Sequence, residues 1–190
     1  VKTNQRITLS QAEATEIYKV PIGKKVTPTL LAEVKGNSLE SHLEDPFDDF
    51  DQERLLTQQL SREGPALAVG DVNNDGNDDV FFGGAVAQPG VLFLGEQDGT
   101  FKRSLSQPWA ADSVSEDSNA LFLDADSDGD EDLYIVSGGG EFVSSAPMYQ
   151  DRLYVNSGNA TFVKSAGAIP DQTASGSTAG AAGFDKDGDL

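Results

Sequence analysis

The sequence contains no cysteine, one histidine and one tryptophan. Without cysteine neither a disulfide framework nor a thiolate metal site can form, and the redox compartment cannot be inferred from this residue. No G-x-S-x-G or H-E-x-x-H motif occurs. His42 stands two residues before Glu44, and a lone His beside a carboxylate is typical of a surface contact rather than a catalytic pair. The sequence therefore offers no recognisable constellation for catalysis.

Basic residues are scarce: 13 Lys and Arg stand against 32 Asp and Glu, for a net charge of −19 over 190 residues. This imbalance argues against nucleic acid or an anionic membrane surface as a partner, and it makes divalent cations the natural counter-charge. No run of 18 apolar residues occurs, so we expect no membrane insertion. Residues 1–36 carry a net charge of +3, which leaves −22 for the rest and suggests a boundary near residues 36–45.

What the sequence has in excess is an Asp-rich loop, present at residues 71–79 (DVNNDGNDD) and again at residues 124–132 (DADSDGDED). Each copy has Asp or Asn at positions 1, 3 and 5, Gly at position 6 and Asp at position 9. This density of oxygen ligands is what a hard cation such as Ca²⁺ requires. Gly76 and Gly129 suit the sharp turn around an ion, because glycine reaches positive φ without a Cβ penalty. The alternative is that these residues only form turns, but two copies at matching positions favour the cation.

The residues that follow each loop distinguish it from an EF-hand, which closes with Glu at position 12 between two helices. Position 12 is Phe82 in one copy and Ile135 in the other. Both lie in apolar runs of aromatic or β-branched residues, which are typical of buried strands. We therefore predict a strand–loop–strand calcium hairpin.

The loops are part of a longer repeat. They begin 53 residues apart, and residues 92–101 match residues 153–162 position for position. Each matched segment predicts a strand, a polar Gly-containing turn and the start of another strand. About four short strands in each 50–60 residues is typical of a β-propeller blade, so the predicted fold class is all-β: a partial β-propeller of four-stranded blades with calcium-binding inter-strand loops. We expect residues 107–118 to form an inter-blade loop, with Trp109 as a packed anchor rather than a ligand platform.

The segment before the repeats is acidic, and its role is open. Residues 44–51 mix acidic residues with Phe, which predicts either a solvated turn or a site for a cation or partner. Leu55, Leu56 and Leu60 recur at helical spacing and predict a short helix over residues 52–60.

The loops, the glycine runs at 83–84 and 138–140, and the signature shared by residues 92–101 and 153–162 give residues 64–190 a resemblance to the FG-GAP/VCBS repeat family. These are integrin-α-like propellers. In that family Ca²⁺ is held by side chains at loop positions 1, 3, 5 and 9 and by the carbonyl at position 7. The resemblance implies metal ligation by Asp71, Asn73, Asp75, Asn77 and Asp79, and by Asp124, Asp126, Asp128, Asp130 and Asp132.

A third loop departs from this pattern. Asp185, Asp187 and Asp189 stand at matching positions and are further candidate ligands, but position 1 is Gly183 and position 9 lies beyond Leu190. Because the chain starts without Met and ends inside this loop, we expect it to be a piece of a longer protein. A propeller needs at least four blades to close, so further blades of the same full-length chain are expected partners.

Residues 4–12 resemble the closing strand of an ASPIC/UnbV domain, which follows such propellers in bacterial surface proteins and cartilage-acidic-protein-like proteins. The predicted domains are this strand at residues 1–12, a linker and propeller lead-in at 13–63, and propeller blades at 64–190, with two complete repeats and a truncated third.

The function predicted from these features is a non-catalytic, calcium-binding scaffold for binding or adhesion, with a protein or carbohydrate ligand and no nucleic acid. Calcium loops favour a location outside the cytoplasm, in a secreted, periplasmic or cell-surface protein. One alternative is the propeller part of a polysaccharide-active lyase or hydrolase, and another is a structural spacer. A carboxylate outside the loops, such as Asp48 or Glu141, in a pocket with a raised pKa would favour the enzyme.

Overall fold

The computed structural model describes residues 42–143, 145–172, 174–177 and 179–180. Within these residues the chain forms two four-stranded antiparallel sheets, each with its strands in sequential order. The first sheet contains β1 (Leu67–Gly70), β2 (Asp79–Phe82), β3 (Val91–Gly95) and β4 (Phe101–Arg103). The second contains β5 (Glu116–Leu123), β6 (Asp132–Gly138), β7 (Arg152–Asn156) and β8 (Phe162–Lys164). This architecture is that of a partial β-propeller with four-stranded blades, which confirms the predicted all-β fold, while calcium binding by the inter-strand loops stays a prediction.

Each Asp-rich loop joins the first two strands of its sheet. Gly70 pairs with Asp79 at the base of the first loop, and Leu123 pairs with Asp132 at the base of the second. Both loops are therefore closed by a strand–loop–strand hairpin, as predicted. The two matched segments of the repeat form the β3–turn–β4 and β7–turn–β8 hairpins.

One hydrophobic core holds the two sheets together, and Trp109 lies within it. Its side chain is buried and makes edge-to-face contacts with Phe81, Tyr154 and Phe162, at ring-centroid distances of 5.4, 5.6 and 5.4 Å. Its indole N–H donates to the carbonyl of Gly90 at 2.9 Å, which satisfies the polar end of a buried ring. Trp109 sits in a short 3₁₀ helix, Pro108–Asp112, between β4 and β5. The prediction that it is a packed anchor is confirmed.

A buried ion pair lies in the second sheet, and its carboxylate also hydrogen-bonds to the first sheet. The guanidinium of Arg152, on β7, donates to Asp117, on β5, at 2.5 Å. The other Asp117 oxygen accepts from the backbone N–H of Gly84, which follows β2 of the first sheet, at 2.8 Å. Burial, the largest cause, lowers the pKa of Arg152, but the Asp117 carboxylate and the Tyr154 hydroxyl together outweigh burial and raise that pKa. Removing either partner would leave an uncompensated buried charge.

The lead-in segment differs from the predicted helix over residues 52–60. The helix α1 (Asp49–Gln52) is a single turn, capped by the Asp48 side chain, which accepts from the Phe50 N–H at 3.1 Å. The chain then turns back, because the carboxylate of Asp49 accepts from the backbone of Leu60 and Ser61. Leu55 is 97 % exposed, so the spacing of the three leucines does not reflect a packed helix face. The prediction of a longer helix was wrong.

One further expectation is wrong, and two lie outside the described residues. The second sheet begins at Glu116, inside residues 107–118, which were expected to be loop throughout. The ASPIC/UnbV-like strand at residues 1–12 and the third Asp-rich loop at residues 183–189 lie outside the described residues.

Candidate metal-binding loops

The two complete Asp-rich loops share one hydrogen-bond pattern, built on the carboxylate at position 1. In the first loop, Asp71 accepts from the backbone N–H of Asp75 at 3.0 Å and of Gly76 at 2.8 Å. The equivalent bonds in the second loop measure 3.2 and 3.1 Å. The chain can curl around the carboxylate because Gly76 and Gly129 adopt φ of +86° and +94°. Position 1 thus sets the shape of each loop.

The second loop brings three carboxylates together. Single oxygens of Asp124, Asp126 and Asp128 all lie within 4.8 Å of one another, and all three side chains are exposed. Partial desolvation raises the pKa of Asp126, and the negative charges of Asp128 and Asp132 add to that shift. These groups are therefore close enough to repel one another, and a cation would relieve the repulsion.

The first loop contains asparagine at positions 3 and 7. The Asn73 amide donates to one carboxylate oxygen of Asp75 at 3.0 Å, and the Asn77 amide donates to the other at 2.7 Å. The backbone N–H of Asn77 also donates to Asp75, at 2.8 Å, and this bond is the largest cause that lowers the pKa of that carboxyl. Here amide N–H groups stabilise the negative charge at position 5.

The carboxylates at position 9 are buried, and backbone N–H groups bind both oxygens of each. Asp79 accepts from Val72 at 3.0 Å and from Gly95 at 2.8 Å, and burial raises its pKa. Asp132 accepts from Ala125 at 2.9 Å and from Asn156 at 2.7 Å. Each bridges the start of its loop to the end of the third strand. The structure therefore gives position 9 a structural role, and it does not place Asp132 in the compact group of three carboxylates.

The two loops contact each other. The Asn74 amide, at position 4 of the first loop, donates to Asp130, at position 7 of the second, at 2.6 Å. The side chain of Asn156, at the end of β7, is fully buried and donates to the carbonyls of Val72 at 2.7 Å and Glu131 at 3.1 Å, one in each loop. Asn156 was not among the residues predicted from the sequence. The sequence marks it only by a difference between the two repeats, because the equivalent position in the first repeat is Gly95.

Comparison with protein families agrees with this geometry. A family model described as an FG-GAP-like repeat matches residues 71–135, which run from the first loop to the middle of β6. Residues 71–135 are thus similar to an FG-GAP-like repeat. No curated protein matches the chain. The matched segment contains both complete loops, while residues 1–12 receive no support as an ASPIC/UnbV strand.

The donor set of the second loop of the FG-GAP-like repeat suits Ca²⁺. The three clustered groups are all carboxylates, and hard cations of this kind take six to eight oxygen ligands. Asp124, Asp126 and Asp128 would supply oxygens, and the ion would supply the positive charge that offsets their repulsion. The first loop offers Asp71, Asn73 and Asp75 at the same positions, with one carboxylate fewer.

Proposed function

We propose that this FG-GAP-like repeat region binds Ca²⁺ in its Asp-rich loops and acts as a non-catalytic propeller scaffold for a protein or carbohydrate ligand. The observation that carries the proposal is the group formed by Asp124, Asp126 and Asp128, whose oxygens lie within 4.8 Å of one another at an exposed loop. A group of three carboxylates at this spacing is unfavourable without a counter-charge. Its hydrogen-bonded loop backbone holds the carboxylates in place before an ion arrives.

The hydrogen bonds of the buried carboxylates outside the cluster support the scaffold role. Three buried carboxylates of the two sheets, Asp79, Asp117 and Asp132, bind backbone N–H groups or Arg152, so they serve the fold. FG-GAP-like repeats are generally non-catalytic. We infer an extracytoplasmic location because calcium is plentiful there. Among the described residues, no helix is long and apolar enough to cross a membrane.

The alternative of a polysaccharide-active enzyme depends on a carboxylate outside the loops with a raised pKa, and Glu116 is such a group. Burial and its neighbour Glu141 raise the pKa of Glu116 to about 9. However, oxygens of both side chains lie within 2.5 Å of the point where a Cβ of Gly139 would stand. Paired glycosidase carboxyl groups stand about 5 Å or more apart so that a sugar fits between them. The Glu116–Glu141 pair leaves no such room, so the geometry favours the scaffold.

Thermal melts test the calcium proposal. With calcium at about 100 times its Kd, one site adds about 2.7 kcal/mol, which corresponds to a rise in Tm of about 5–10 °C for a domain of this size. We expect this rise between excess EGTA and millimolar CaCl₂, and a smaller rise in the Asp124→Asn variant. Glu96→Gln, which changes an exposed acid outside the loops, should behave like the wild type. Equal midpoints in EGTA and calcium would refute the proposal.

A further inference from the structure

Two glutamates meet at the end of β6 that lies away from the Asp-rich loops. Glu116 begins β5 and pairs with Gly138, the last residue of β6. Glu141 follows Gly139 and Gly140 along the chain. A Cβ built on Gly139 would overlap with one oxygen of each glutamate. The two carboxyl groups therefore face the same small space, beside a residue that must lack a side chain.

The facing oxygens are buried and lack a hydrogen-bond donor. Glu116 is 6 % exposed, and its Oε2 atom and both oxygens of Glu141 have no donor among the described residues. An ionised carboxylate only accepts hydrogen bonds, so two of them cannot satisfy each other. When one carboxyl carries a proton, it can donate to the other in a charge-assisted hydrogen bond. One shared proton therefore removes the cost of two unpaired charges in a buried space.

The lead-in segment brings further negative charge to this pair. Glu44 and Asp45 add to the negative potential at Glu116. Burial is the largest cause that raises the pKa of the nearby Tyr149 hydroxyl, and the charges of both glutamates and of Asp49 add to that shift. Negative neighbours disfavour ionisation of a carboxyl group. The lead-in segment thus favours the protonated form of the pair.

The cations near this end of the molecule are already paired with other carboxylates. Arg152 on β7 binds Asp117, and Lys164 on β8 binds Asp112. The imidazole of His42 lies 3.1 Å from Glu44. Burial is accordingly the largest cause that raises the pKa of Glu116, to about 9, and the hydrogen bond with Glu141 adds to the shift.

The pair lies where a short segment, residues 139–142, leaves the sheet. The Ser175 hydroxyl donates to the Gly139 carbonyl at 2.8 Å, and the Tyr149 hydroxyl donates to the Phe142 carbonyl at 2.7 Å. Gly139 has φ of +84°, and the adjacent Gly140 gives the backbone further freedom. A cavity of about 600 Å³ borders both glycines and Phe142. The segment therefore has a flexible start and space to move into.

We propose that Glu116 and Glu141 share one proton and act as a pH-sensitive latch, which holds residues 139–142 against β5 and releases them when the proton is lost in alkaline solution. The proton passes to hydroxide, and two carboxylates remain in one buried space. Their repulsion drives Glu141 away from Glu116.

The latch also makes stability depend on pH. In the unfolded chain Glu116 ionises near its ordinary pKa of 4.5, whereas in the fold it holds its proton up to a pKa of about 9. Its contribution to stability is therefore fully present below the lower value and is lost as the pH rises to the higher one.

Infrared spectroscopy tests the shared proton, because the C=O stretch of a protonated carboxyl group is separate from the carboxylate and amide bands. In Glu141→Gln the new amide donates to Glu116 without a titratable proton. The difference spectrum between the wild type and this variant should contain one protonated-carboxyl band at neutral pH, and the band should vanish above the pKa of about 9. Glu96→Gln, which changes an exposed acid elsewhere, should give no such difference. No band in the Glu141→Gln difference spectrum would overturn the proposal.

Hydrogen exchange tests the release of residues 139–142. Their amides should be equally protected in the wild type and Glu141→Gln at neutral pH, and should exchange several-fold faster in the wild type above the pKa of about 9. Comparison at one pH cancels the intrinsic exchange rate, and EGTA in every sample keeps the result independent of calcium in the loops. If Glu141→Gln does not fold, Glu116→Gln exchanges donor and acceptor and makes the same test. Equal protection under alkaline conditions would overturn the latch.

Discussion

The two Asp-rich loops share one backbone hydrogen-bond pattern, but they differ in the side chains that surround their clustered negative charges. In the first loop the amides of Asn73 and Asn77 donate to Asp75, and the pKa of that carboxyl is lowered. In the second loop carboxylates take the place of both amides, and the pKa of Asp126 is raised. The first loop therefore stabilises its Asp75 carboxylate with amide hydrogen bonds from its own side chains, while we propose that the second loop depends on a cation. The difference predicts unequal cation affinities for two loops that share a motif.

What the loops have in common lies at position 9. Asp79 and Asp132 are fully buried, and each ties the start of its loop to the end of the third strand of its sheet. These hydrogen bonds belong to the fold. Position 9 should therefore control stability, while positions 3 and 5 should control the response to calcium.

The largest expected effect is the loss of a position 9 carboxylate. Asp132→Ala leaves two buried N–H groups without acceptors, and we expect it to cost about 3–5 kcal/mol of unfolding free energy even in EGTA. Asp79→Ala should cost a similar amount. Urea denaturation measures both, with Glu96→Gln as the control. If either change were silent in EGTA and harmful only in calcium, position 9 would act mainly as a metal ligand, and the shared structural role would be wrong.

The next effect in size concerns Asn156, which bridges the two loops. Asn156→Ala removes its donations to Val72 and Glu131, and although the Val72 carbonyl keeps the N–H of Ala160, the Glu131 carbonyl loses a partner, so we expect a loss of about 1–3 kcal/mol. Because the bridge contacts both loops, the loss should be accompanied by weaker calcium binding in each. Urea melts and calorimetry on the same variant check this pair of results. A variant that loses stability but binds calcium as the wild type does would show that the loops act independently.

A smaller effect comes from exchanging position 3 between the loops. Asp126→Asn gives the second loop the residue that the first has, and Asn73→Asp does the reverse. In EGTA we expect Asp126→Asn to raise Tm and Asn73→Asp to lower it, because the first removes a repulsive charge and the second adds one. In calcium the affinity of the altered loop should shift by on the order of tenfold, downward in the first variant and upward in the second. If Tm in EGTA, or the calcium affinity, shifted in the same direction in both variants, the proposed electrostatic difference between the loops would be wrong.

Much of this fold could be predicted from the sequence because its signals are local and repeated. Residues 71–79 and 124–132 match position for position, and each is followed by an apolar run, so the hairpins and the four-stranded sheets follow from short-range pattern. The helix predicted over residues 52–60 does not form. The leucine spacing is a local pattern, whereas hydrogen bonds to Asp49 set the path of this segment. Asp49 accepts from the backbone eleven and twelve residues away and turns the chain back.

The candidate metal site was predicted less completely than the fold, because its contacts join residues that are distant in the sequence. The sequence shows which residues carry oxygen, but not which oxygens are already used by backbone N–H groups, as those of Asp132 are. It also cannot show that Glu116 and Glu141, which are far apart along the chain, both approach Gly139. Only the antiparallel pairing of β5 with β6 brings Glu116 to that end of the sheet.

Isothermal titration calorimetry with CaCl₂ tests the central claim, that the loops bind calcium and that the second binds it more tightly. The titrations use Asp71→Ala and Asp124→Ala, each compared with the parent protein. We predict that Asp124→Ala removes the tighter site and leaves the weaker one, because the Asp124 loop brings three carboxylates together where the Asp71 loop has two and an amide. Loss of the tighter site in Asp71→Ala, or no calcium heat in the parent protein, would contradict the account.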